Sequence, residues 1–282
     1  MMGFVAISSA PMPIADMVIG QSLEQAVALL PRLFNLCRGA QTMAARLAAG
    51  QTITQTDRAA AETEAIRDHG LRLFITLPRL LGLTPPALLP GWQSDAAVCQ
   101  RMVWGTARPA TPAEFKAWRQ RDAGLAPMIN ALSDVFAPGQ AVTTALPLVT
   151  ADTAFDHRPI ENSVAGHHAD HPILHEIEAE TGRGPLWRVV GRMIDIGTVP
   201  TAHRTPCGAV VRAPRGTYAL RLDHHQGIVT ACTRVTPTDH LLCAGGVLEQ
   251  TLATTSEAGL IPLIMDILDP CTPVQIKEAL DA

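Results

Sequence analysis

Along the first half of the chain, hydrophobic and polar positions alternate at helical spacing. After Ser22, with Gln25 placed to close a capping box, Leu23, Val27, Leu30, Phe34 and Cys37 fall on one helical face. Pro31 lies inside that run and predicts a kink or break, because it lacks an amide hydrogen and crowds the preceding turn. A second helical stretch is predicted from about Asp57 to the stop at Pro85 and Pro86. Thr111, Pro112 and Glu114 repeat the start signature of cap, first-turn proline and capping box. Between residues 139 and 172 the composition shifts to Pro, Thr, Asp and His, which reads as loop with short helices. The helix that follows, HPILHEIEAETG, should stop at Gly182 in a left-handed cap.

From Val210 the period changes to two. TYALRLD alternates, HHQG turns and IVTACTRV returns, which predicts a β-hairpin. Helices then resume with LLCAGGVLEQTLATT and GLIPLIMDIL, the latter ending at Asp269 because Pro270 disfavours a helical residue before it. Thr272, Pro273 and Gln275 form another start signature and predict a short last helix running to Leu280, with Cys271 just ahead of it. A helix start would favour a thiolate, the form that binds metal; the alternative is a buried structural cysteine at a helix junction.

The resulting fold class is mainly α with a small β-hairpin (α+β), and no internal repeat or low-complexity linker interrupts it. At 282 residues and 47% apolar, the chain can bury one large core or two modest ones. A formal charge of -4 without runs of like charge predicts neither a nucleic-acid nor a membrane partner. The first twenty residues lack a basic leader and no apolar run spans a bilayer, so a cytoplasmic location is expected.

Six cysteines, Cys37, Cys99, Cys207, Cys232, Cys243 and Cys271, include no C-x-x-C pair, so any metal role must join distant parts of the chain, and most should be core residues. Phosphate-loop, dinucleotide and serine-hydrolase motifs are absent, and HEIEA fails the zinc-protease pattern at Ala179. His157, His167, His168, His171 and His175 cluster, with His167/His171 and His171/His175 spaced like metal pairs on a helix. Pro172 interrupts the second pair, and an exposed polar loop is the competing reading.

Taken in order, several segments resemble the large subunit of nickel-iron hydrogenases. FNLCRGAQTMAA is similar to that family's R-x-C-G-x-C-x-x-x-H motif and DPCTPV to its D-P-C-x-x-C motif. APRG, the hairpin and TPT are similar to its A-P-R-G, strand pair and P-T-T run; ENSVAGHHADHP and GGVLEQTL are fainter matches. In the enzymes the two cysteine motifs supply four thiolates to a nickel and to an iron carrying two cyanides and a carbonyl. Here Cys37 and Cys271 match two of the four, Phe34 and Val274 stand in place of the others, and Gln41 stands for the histidine. Lys277 occupies the position after which enzyme precursors are cleaved, so no cleavage is expected, and the family's N-terminal glutamate motif is missing.

A shortened, cysteine-depleted relative of this kind resembles the hydrogenase expression/formation proteins of the HupK/HoxV type. The resemblance implies one large-subunit-like domain over 1–282, with a helical part over 20–138 and a hairpin-plus-helix part over 205–282. It implies no catalysis and no nickel, and a transient iron, Fe(CN)2(CO), held by Cys37 and Cys271. Pro214, Arg215 and Asp269 would line the iron unit, with the Arg215 guanidinium donating to a cyanide nitrogen; an ordinary salt bridge at a hairpin entrance is the plainer role for Arg215. Expected partners are the maturation proteins that assemble the iron unit and the hydrogenase large subunit that receives it. Two rivals stand beside this scaffold: a metal-free interaction paralogue in which Cys37 is a core residue, and an enzyme of another class using the histidine loop.

Overall fold

The structure, a computed structural model, describes residues 3–8, 12–34 and 36–279. Strand β1 (Gly3–Ser8) is followed by α1 (Ile14–Val18), α2 (Leu23–Leu29), α3 (Arg38–Ala48), α4 (Gln55–Leu71) and α5 (Leu77–Leu80). Then come α6 (Ala96–Trp104), α7 (Pro112–Arg119), α8 (Ala126–Val135), α9 (Pro172–Thr181) and α10 (Pro185–Asp195). Strands β2 (Ala202–Thr205), β3 (Gly208–Ala213), β4 (Gly216–His225) and β5 (Ile228–Val235) precede α11 (Pro237–Leu242), α12 (Val247–Ala253), α13 (Ile261–Leu268) and β6 (Val274–Ala279).

The helix starts follow local chemistry. Ser22, Thr54, Thr111 and Thr236 each accept from the amide three residues on, and that residue's side chain accepts in return from the cap amide. Pro31 ends α2 in a tight turn over Leu30–Arg32, so Cys37 belongs to the start of the next helix and not to the face of the first. Near the C-terminal end of α4 the helix widens into a π turn over Arg72–Thr76 ahead of Pro78, whose ring would crowd the Phe74 carbonyl in a regular helix. Gly182 closes α9 with φ 75° but an extended ψ of -176°, a positive-φ stop outside the left-handed helical region.

More β-structure is present than one hairpin. β2-β3-β4-β5 form an antiparallel meander, and β1 pairs antiparallel with β6. The last segment is therefore a strand where the sequence predicts a helix; Leu280, the expected helix end, lies outside the described residues. Val274 and Ile276 turn inward onto the Leu241, Val247, Leu248 and Leu252 cluster while Gln275 and Lys277 face out. Pairing with β1, far away in sequence, outweighs the local capping signal.

Two principal cores result. Helices α4 to α10 and α13 pack around Phe74, Trp104, Ile129, Leu174 and Trp187. The other core lies where α2 and α3 cover one face of β3 and β4, through Ala40, Met43, Ala44, Val211 and Leu220. α3 and α4 cross closely at Gly39, where a Cβ would stand 2.5 Å from the Ala61 Cα. No helix among the described residues is long and apolar enough to cross a membrane.

Candidate functional site

Where the two cores meet, residues from five elements converge. Cys37 precedes α3 with φ 55°, a left-handed conformation uncommon for a residue with a side chain. It makes no cap of its own: Glu64 on α4 accepts from the first two helix amides, Arg38 at 2.8 Å and Gly39 at 2.7 Å. Asp269 ends α13, also left-handed at φ 50°, and so turns the chain toward Cys271. Arg215 sits in the two-residue turn between β3 and β4, closed by Gly216 at φ 141°, where a Cβ would strike the Asn162 carbonyl oxygen at 2.5 Å.

Arg215 ties these together. Its Nη1 donates to Cys37 Sγ at 3.4 Å and its Nη2 to Asp68 Oδ1 at 2.9 Å. Its Nε lies 3.0 Å from Asp269 Oδ2, close enough for an ion pair though not aligned as a hydrogen bond. Asp269 is 3% exposed and also meets Arg192 Nη2 at 3.3 Å and Arg72 Nη2 at 2.6 Å. Arg192 reaches Asp68 at 3.5 Å, and Arg72 pairs with Asp266. Three guanidiniums and three carboxylates thus form one closed network.

In front of Arg215 lies a cavity of about 180 Å³. Cys37 and Cys271, from distant parts of the chain, both line it; Arg215, Gln41 and Thr238 supply polar wall, and Phe34, Tyr218 and Pro237 supply apolar wall. Cys271 is positioned by its amide, which donates to Thr238 Oγ1 at 2.9 Å, and Thr238 is fixed in the first turn of α11 by the Thr236 capping box. The expected helix start at Cys271 is absent, and with it the dipole argument for a thiolate there. Burial pushes the Cys37 thiol up to about 12, against the opposing pull of Arg215.

Of the residues singled out from sequence, Cys37, Cys271 and Arg215 share this cavity, and Asp269 backs it through Arg215. Pro214 is buried in the turn but does not line the cavity; its fixed φ shapes the turn that presents Arg215. Val274 faces the terminal cluster instead, whereas Phe34 is part of the cavity wall. Asp68, Arg72, Arg192 and Arg234 belong to none of the sequence motifs described above. For Arg192 a signal existed: ahead of its terminal Asp195, α10 is apolar and mostly buried apart from Arg188 and Arg192, which marks paired interior charge.

The histidine loop is not simply exposed. His168 Nε2 meets Asp195 Oδ1 at 2.6 Å, and His69 Nε2 meets Asp195 Oδ2 at 2.8 Å. Burial would raise the Asp195 carboxyl, but hydrogen bonds from His168 and His69 hold it well below the usual range. Arg212 Nε donates to His167 Nδ1 at 3.1 Å, leaving Nε2–H to donate to Thr217 Oγ1 at 2.8 Å. Among the described residues no group of three or more His, Cys, Asp or Glu could hold a metal ion.

No family model matches the sequence. The hydrogenase expression/formation protein HupK of Rhodobacter capsulatus is 44% identical over 275 residues, covering 95% of this chain and 90% of that protein. In structure, the chain is similar to the reduced nickel-iron-selenium hydrogenase of D. vulgaris Hildenborough, with TM-score 0.58 and 11% identity over 96% of this chain and 98% of that one. The nickel-iron-selenium hydrogenase of Dm. baculatum gives TM-score 0.58 and 12% identity over 93% and 92% of the two chains. At that identity the likeness establishes a shared fold.

Proposed function

The chain belongs to the HupK family of hydrogenase expression/formation proteins, and from that premise we propose an accessory scaffold of hydrogenase maturation. Its cargo is the Fe(CN)2(CO) unit, held between Cys37 and Cys271 and passed on to the hydrogenase large subunit. The observation that carries this reading is the placement of those two thiols, from opposite ends of the chain, on one cavity beside an arginine.

The residues present suit such a cargo. Two thiolates are soft donors for iron, and a unit that brings three diatomic ligands needs few more from the protein. The Arg215 guanidinium spends one Nη1 and one Nη2 hydrogen on Cys37 and Asp68, so it keeps further N–H groups for a cyanide nitrogen. The apolar wall of Phe34, Tyr218 and Pro237 accommodates a carbonyl that accepts no hydrogen bond. Loading requires both thiols to release their protons, and the same demand makes the return of a proton to Cys37 favourable once the cargo leaves. The partners under this reading are the proteins that assemble the iron unit and the large subunit that receives it.

A second reading is favoured by one observation: Cys37 packs against the sheet core, as a structural cysteine does, and that burial pushes its thiol up. The chain would then be a metal-free interaction paralogue. Infrared spectra of protein purified without oxygen from cells with the maturation machinery separate the two. Cyanide and carbonyl bands that vanish in C37A and in C271A support the scaffold. A blank spectrum, with hydrogenase maturation unaffected by the double substitution, supports the paralogue.

A further inference from the structure

The network behind the cavity is balanced, but the cavity itself is not. Arg72, Arg192 and Arg215 are matched by Asp68, Asp266 and Asp269. Arg234, on β5, also lines the cavity, and among the described residues no carboxylate pairs with it. Instead its Nε donates to the Tyr218 hydroxyl at 3.2 Å, and its guanidinium carbon sits 4.4 Å from the Phe34 ring centre and 5.3 Å from that of Tyr218. Aromatic faces hold a guanidinium in place without neutralising it. Burial pushes the Tyr218 phenol up to about 12, so this contact supplies no countercharge at neutral pH.

We infer that Arg234 is the anion-selecting residue of this cavity, giving it one uncompensated positive charge that receives the nitrogen end of a metal-bound cyanide and disfavours a bare divalent cation. The ligand class rests on the iron-scaffold reading; the charge does not. Arg215 already has carboxylates on two sides, whereas Arg234 can offer its full charge. An iron(II) bound by two thiolates and two cyanides carries two negative charges, and the aromatic clamp aims Arg234 at it from the Phe34 wall.

The full chain can be tested without cargo by alkylating Cys271 in parallel with iodoacetate, an anion, and iodoacetamide, its neutral analogue. Their rate ratio cancels accessibility and reports local potential. Arg234→Gln should lower the ratio at Cys271 by about tenfold, the low end of what a charged cleft does to local ion concentration, while the exposed Cys207 shows no change. Arg234→Lys should keep the wild-type ratio, and high salt should erase the difference. An unchanged ratio in Arg234→Gln overturns the inference, as does a folded Arg234→Lys that behaves like the glutamine variant. Infrared spectra then test the ligand class: cyanide bands of the loaded protein should move in Arg234→Gln, and bands that stay put remove Arg234 from cyanide contact. Absence of any band in the wild type would sink the iron reading while leaving the alkylation result to stand or fall alone.

Discussion

Asp269 is the hub on which the site's geometry depends, and Asp269→Asn isolates its charge. Asparagine keeps the volume and tolerates the left-handed φ of 50°, so the backbone should not move. The carboxylate is 3% exposed and meets Arg72, Arg192 and Arg215. Removing one partner of a buried ion pair costs about 3–5 kcal/mol when the other charge is stranded. Here none is wholly stranded: Arg215 and Arg192 retain Asp68, and Arg72 retains Asp266. We therefore expect about 2–3 kcal/mol, below the range for a stranded charge. At roughly 2–4 °C per kcal/mol for a chain of this class, the melting temperature should fall by about 4–12 °C. Calorimetry at neutral pH measures this, with Asp223→Asn as control: its 3.4 Å pair with Arg221 joins side chains 52% and 45% exposed and should be worth under about 1 kcal/mol. A D269N protein melting within about 2 °C of wild type would refute the claim that the network stabilises the fold.

Glu161→Gln should cost about 3–5 kcal/mol in thermal or denaturant unfolding, because Arg188, bound bidentately at 2.9 and 3.0 Å, keeps a buried charge with no carboxylate. Burial alone would raise the Glu161 carboxyl, but Arg188 holds it below the usual range; its stabilisation is thus complete above about pH 4.3 and lost as pH falls through the lower folded value, a slope that acid titration of the variant should lack. His167 is the opposite case: burial and then Arg212 lower its ring to about 3, so the folded state resists a proton that the unfolded state accepts. Stability should be unaffected above about pH 6.5 and fall as pH drops from there toward 3, and a denaturant midpoint that declines equally in His167→Gln would contradict the assignment. Gly39→Ala forces a methyl against the Ala61 backbone and should cost about 1–3 kcal/mol, whereas Gly259→Ala meets nothing within 4 Å and should be near neutral by the same melt. In hydrogen exchange, amides of Val274–Ala279 should exchange faster than those of Arg38–Ala48; equal protection would mean that the terminal ribbon is no weaker than the core.

What could be read from sequence was mostly what is settled within four residues. The boxes at Ser22 and Thr111, the break at Pro31 and the hairpin around Gly227 are local bargains between a side chain and nearby backbone. The box at Thr272 obeys the same rule and still fails, since β6 finds its partner in β1 at the other end of the chain. Alternation of Val274, Gln275, Ile276 and Lys277 was present there, but a four-residue alternation cannot outvote a capping signal without knowledge of a partner strand. The site divides likewise. Motif order placed Cys37, Arg215, Asp269 and Cys271, while Asp68, Arg72 and Arg192 emerge only from contacts between separate helices.

The two thiols are not equivalent, and under the proposed function the difference would bear on transfer. Cys37 is wedged between the sheet core and α4, its helix capped by Glu64 and its sulfur bonded by Arg215. Cys271 hangs between a left-handed Asp269 and a two-stranded ribbon, with a backbone bond to Thr238. A two-stranded ribbon is marginal alone and relies on the apolar cluster beneath it. Lifting β6 would therefore withdraw one thiol while the other stays in place. An enzyme that turns over at a fixed centre gains nothing from such unequal anchoring. A scaffold must hold its cargo and then yield it, and under the proposed function Cys37 would supply the grip and the Cys271 arm the release.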